Sequence, residues 1–203
     1  PAITAMATSL LEELNLHLST HNFLLGSRPC IGDFALFGPL WAHLYRDPGT
    51  THLFDDAPHV QAWFNRILSP DGDPGSFLTD DVVPDTLTPI IQRIFTDQLS
   101  WVQTLTGAID EWCDSNPGAT RVPRSLGTAS FQIGGRTEER KLATFVQWKA
   151  HRSWDTYQKA TAEEQQSMKH WLDRFTAQNP FDKPIQPPFD RRHFKPVLRR
   201  SLK

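Results

Sequence analysis

Phe23-Leu24-Leu25-Gly26-Ser27-Arg28-Pro29-Cys30-Ile31-Gly32-Asp33-Phe34-Ala35-Leu36 is the stretch on which the fold turns. Gly26 to Pro29 break one helix, and a second begins at about Ile31. Asp33 stands three residues after Cys30, the spacing of a capping box. In such a box the cap side chain accepts from the N–H three residues on, and the acidic side chain at that third position accepts from the cap's own N–H. The usual cap is Ser or Thr; here it is Cys30, whose sulfur is a weak acceptor. Asp33 is therefore expected to carry most of the capping, where its charge also suits the helix dipole. The role of the pair is structural.

Outward from this turn the chain reads as helix after helix. Before it, Leu10, Leu11, Leu14 and Leu18 form one stripe on a helix from Ile3 to Ser19. After it, a helix from Ile31 to Tyr45 carries Phe34, Phe37, Trp41 and Leu44 on its apolar face, with a kink expected at Pro39. Pro58 to Leu68 forms a third helix, facing the core with Val60, Trp63, Phe64 and Ile67. A Pro-, Gly- and Asp-rich loop leads to the longest element, Thr88 to Asp114, with a stripe of Leu87, Ile91, Ile94, Leu99, Val102, Leu105, Ile109 and Trp112. Around residues 128–138, Phe131 and Ile133 alternate with polar neighbours before Gly134-Gly135, the pattern of a small hairpin. Helices resume from Leu142 to Lys159 and, behind a Thr161/Glu164 capping box, to about Ala177. The expected fold is an all-α helical bundle, residues 1–178, with that hairpin as an insertion. Residues 179–203 are expected to be an extended, Pro-rich basic tail without periodic structure.

Composition agrees with an ordered globular chain: 203 residues, 38% hydrophobic and 22% charged, with a net charge of −2. The tail from Pro180 holds seven Lys/Arg against two Asp, a net of +5, which leaves −7 on the body. Two cysteines, Cys30 and Cys113, make no disulfide framework and point to a reducing intracellular compartment, cytoplasm or organelle interior. No apolar run approaches the length of a membrane span.

The opening stretch resembles the capping turn of the C-terminal helical domain of the glutathione S-transferase family. Pro58-x-Val60-x-x-Trp63 resembles the helix that follows in that family. Asp80 to Pro84, Val122 to Gly127 and Phe131 to Gly135 look like a long-tailed, bacterial-type group within it, so the likeness runs from about Leu10 to Leu172. Such proteins bind glutathione through an N-terminal thioredoxin-like domain, which supplies the thiol-activating residue. Nothing in these 203 residues reads as that domain. The resemblance therefore implies a co-substrate wall, no cofactor in this chain, and glutathione only where a thioredoxin-like domain lies elsewhere.

The residues offer few competing sites. His17 and His21 have metal-ligand spacing, but a third donor is lacking, so a solvated pair is the stronger reading. Cys30 at a helix start suggests a reactive thiol, against which stands the plainer role of a small capping residue. Asp80, Asp81 and Asp85 lack the EF-hand pattern and read as solvated loop charges. No metal site is expected. Phe37, Trp41 and Tyr45 suggest an apolar pocket, with core packing the stronger use. Arg191, Arg192, Lys195, Arg199 and Arg200 form a candidate partner-binding surface in the tail. No nucleophile elbow, phosphate loop, dinucleotide fingerprint or zinc-protease motif is present. The expected function is a non-catalytic interaction module, a subunit of a larger assembly. The alternative is the co-substrate half of a glutathione transferase. A protein partner or homodimer is expected, and nucleic acid is not.

Overall fold

Leucines at helical spacing need a second apolar surface, and in this computed structural model the first helix finds it on its own neighbours in sequence. The structure describes residues 2–69, 75–193 and 195–198. They divide into two units, Pro1–Gln92 and Arg93–Lys203.

In the first unit, α1 (Ala2–Leu18) packs against α3 (Pro58–Leu68), and α2 (Ile31–Pro39) runs on into a π-helical turn, Leu40–Tyr45. Leu11, Leu14, Leu18, Val60, Trp63 and Phe64 are buried, as their spacing predicts. Pro39 marks the expected irregularity. It has no N–H to donate to the preceding turn, and the helix widens at the next residue. Phe34 departs from expectation: it is 56% exposed. The inner face of α2 is set by Asp33, Phe37 and Leu40, because the Asp33 carboxylate is anchored inside; Phe34, one position on, is turned about 100° away.

Helical backbone continues through α4 (Thr88–Arg93), a π turn at Ile94–Gln98 and α5 (Leu99–Ser115). The expected single stripe is interrupted there. A π turn accommodates an extra residue, and Ile94 is exposed there; beyond it Leu105 and Ile109 of the expected stripe are buried, joined by Trp101 and Cys113.

The second unit builds its core on those α5 side chains. β1 (Ser125–Ile133) and β2 (Arg136–Ala143) form the expected hairpin across Gly134-Gly135, somewhat longer than its sequence signal. α6 (Phe145–Lys159) and α7 (Ala162–Leu172) follow. The segment expected to be an extended tail instead forms a second antiparallel hairpin, β3 (Phe189–Arg192) with β4 (Lys195–Leu198). Phe189 and Leu198 are buried with Leu105 and Ile109 in the second core. Gln147 and His151 of α6 hold the approach to β3, each donating to the Pro187 carbonyl, at 2.7 and 3.2 Å. The described fold is thus mostly helical with two small antiparallel sheets.

Candidate functional site

The turn between α1 and α2 is organised by one carboxylate. Asp33 is fully buried and accepts three hydrogen bonds: from Leu24 N–H at 3.0 Å, from Trp63 Nε1 at 3.0 Å and from Cys30 N–H at 2.8 Å. The Asp33 half of the capping box is therefore strong. The reciprocal half is weak, since the Asp33 N–H faces the Cys30 sulfur but bonds the Cys30 carbonyl at 3.1 Å. Burial raises the Cys30 thiol above its ordinary value, and the nearby Asp33 carboxylate adds to this. A thiol held protonated is a poor nucleophile.

Neighbouring residues tie the turn down from other elements. Gly26 has φ +127°, and a Cβ there would meet the Ser76 carbonyl at 2.7 Å. Only glycine fits, because Ser27 N–H and Leu78 N–H cross between the two loops to Ser76 and Leu25. His17 was expected to be solvated but is fully buried. Its Nε2–H donates to the Phe23 carbonyl at 3.3 Å, which leaves Nδ1 to accept from the Thr86 hydroxyl at 2.7 Å. The His21 ring stacks on it at 4.6 Å. With both His17 nitrogens engaged, the pair makes no convergent metal site. Among the described residues no group of three or more His, Cys, Asp or Glu is placed to hold a metal. Arg66 lies over the Phe23 ring and donates through Nε to the Asn22 carbonyl at 3.0 Å. Burial lowers its pKa and the Asp33 charge opposes that shift.

Phe37, Trp41 and Tyr45 lie together on the first core. Phe37 stacks on Trp41 at 5.5 Å and meets Trp63 edge-on, while Tyr45 packs against Phe54 and Phe64. Their rings fill space between helices. The second unit holds an open cleft of about 1000 Å³ lined by Gln103, Gly107 and Asp110 of α5, Trp154 of α6, Lys169 of α7 and the 176–186 segment. Its walls mix apolar, acidic and basic groups. Sequence reading gave no sign of it, because residues 176–186 carry no periodic pattern. Of the basic tail residues, Arg192 and Lys195 are exposed at the β3–β4 turn. Arg191 has a described backbone only, and Arg199 and Arg200 lie outside the described residues.

The turn, the buried carboxylate and the helices on either side of it form one continuous pattern from α1 to α3. Residues 5–71 match the family model of the glutathione S-transferase, C-terminal domain. No curated protein and no solved structure matches the chain. The chain thus carries a glutathione-transferase-like C-terminal module, and the match falls within the first unit. Within that module the Asp33 carboxylate joins the turn at Leu24, the start of α2 and Trp63 of α3. Among the described residues no helix is long and apolar enough to cross a membrane.

Proposed function

We propose that the chain acts as a non-catalytic protein-interaction module of glutathione-transferase C-terminal type, in a homodimer or as a subunit of a larger assembly. The observation that carries this reading is the outer face of α2. Ile31 is 83% and Phe34 56% exposed, and Ala35 and Ala42 continue the same apolar side. Gly38 lies between them with open space where a side chain would stand. A contiguous apolar helix face of this kind marks an interaction surface more often than a free one. On the opposite side of α2, Phe37, Trp41 and Tyr45 pack on Trp63, Phe54 and Phe64, which supports a structural use of these rings.

The cleft of the second unit supports the other reading, the co-substrate half of a glutathione transferase. Two titrations separate them: glutathione by calorimetry, and an apolar electrophile analogue by tryptophan fluorescence. The interaction module gives no saturable binding of either at millimolar concentration. Micromolar binding of either overturns it in favour of the co-substrate half.

A further inference from the structure

Charge is divided unevenly between the two units. Residues 1–92 carry three Lys/Arg against 11 Asp/Glu, a net of −8, whereas residues 93–203 carry 18 against 12, a net of +6. In the first unit all three arginines rest on rings: Arg28 on Phe77 at 5.3 Å, Arg46 on Trp41 at 5.0 Å and Arg66 on Phe23 at 5.8 Å. Asp47, Asp55 and Asp56 are exposed at the corner that leads into α3.

The second unit carries a built cation face on α6. On the first two turns of α6, Phe145 and Trp148 stack at 5.2 Å; Lys149 lies over the Phe145 ring and Arg152 over the Trp148 ring, each at 5.9 Å. Arg124 is joined to the start of this helix, its carbonyl accepting from Thr144 N–H at 3.2 Å. Arg121, whose backbone pairs with Val197 of β4, and Arg192 and Lys195 at the β3–β4 turn add positive charge elsewhere on the unit. All six cations are exposed. Because the rings stack on one another and each carries a cation, they hold charged groups in place for carboxylates rather than offering open faces to bases.

We propose that this basic face of the second unit binds the acidic first unit of a second copy of the chain. A polynucleotide would suit the basic face but would be repelled by the −8 unit joined to it. A second copy supplies carboxylates at matched concentration, and the chain's net charge of −2 opposes association little. The contact joins two different surfaces, so it is head-to-tail and extends into a ring or an open array. It rests on charge and is independent of the apolar α2 face.

Sedimentation equilibrium of the full chain tests this at about 0.01 M and about 1 M salt, where the Debye length is about 30 Å and about 3 Å. Association that rises with protein concentration at low salt and disappears at high salt is expected. Lys149→Gln with Arg152→Gln, and separately Asp55→Asn with Asp56→Asn, should each weaken it at least about tenfold, with circular dichroism unchanged. Mixed in equal amounts, the two double variants should form a 1:1 complex that grows no further, since each keeps one working face. A chain that stays monomeric at low salt overturns the proposal. So does association that survives about 1 M salt and is lost only in Ile31→Asp/Phe34→Asp, which would place the contact on α2. Binding of a single-stranded oligonucleotide through Lys149 and Arg152, without self-association, also overturns it.

Discussion

The chain uses the same helix-start device twice, in opposite surroundings. At α7, Thr161 accepts from Glu164 N–H at 3.2 Å, and Glu164 accepts from Thr161 N–H at 2.7 Å; both residues are exposed. At α2, Asp33 makes the same reach-back to Cys30 but is fully buried, and also holds Leu24 N–H and the Trp63 ring nitrogen. Water can replace the partners of an exposed cap. It cannot reach those of a buried one, so their loss costs the full desolvation of each stranded group. The two boxes share a pattern in sequence and differ in what depends on them: one starts a helix, the other also joins the turn at Leu24 to α2 and α3.

Removing the buried acid breaks the comparison most sharply. Asp33→Ala strands two backbone N–H groups and the Trp63 indole and should destabilise the first unit by about 3–5 kcal/mol, read as a fall in its urea midpoint. Acid comes next, and separates the sites without mutation. Burial lowers the His17 pKa from 6.5, so the unfolded chain takes up the proton first. The stabilising effect of neutral His17 is complete above about 6.5 and is lost as pH falls through the lowered folded value. Hydrogen bonds from Thr161 lower the Glu164 pKa from 4.5, so that contribution persists until pH falls below 4.5. Urea unfolding between pH 7.5 and pH 5 should therefore weaken the first unit while the α7 box is unaffected, and a His17→Gln variant should lose this acid dependence. Thr161→Ala should cost about 1 kcal/mol in the second unit alone. Smallest of all, Cys30→Ser restores a hydroxyl acceptor at the α2 cap and should raise the first unit's midpoint by the equivalent of about 0.5 kcal/mol.

Much of the first unit could be read directly from residue order. The Cys30–Asp33 spacing located the helix start, and the leucine and aromatic stripes of α1 and α3 located its core. What Asp33 does beyond capping could not be read, because its bond to Trp63 forms only when α3 packs, 30 residues later, and its bond to Leu24 only when the turn nine residues earlier folds back. His17 was misread for the same reason: Thr86, its partner, is 69 residues away. Phe34 was misplaced because the anchored Asp33 sets the inner face of α2, and Ile94 because nothing in Ile94–Gln98 announces the π turn; Leu105 and Ile109 of the expected stripe are buried. Pro39 did announce the π turn at Leu40–Tyr45. The β3–β4 hairpin escaped notice because its strands have four residues each and its turn carries no glycine, the positive φ falling on His193 instead. Only the apolar Phe189, Val197 and Leu198 hinted at it.

The wide turn at Ile94–Gln98 also bears on how the chain can vary in length. It stores one surplus residue within a run of helical backbone. Losing a single residue there would let the turn tighten to ordinary α-helix, with Trp101, Leu105 and Ile109 still meeting their core. The same loss at Thr104 would turn every later side chain by about 100° and send Leu105 and Ile109 toward water. This helical stretch thus has one segment where a single-residue deletion is absorbed and a longer one where it is not.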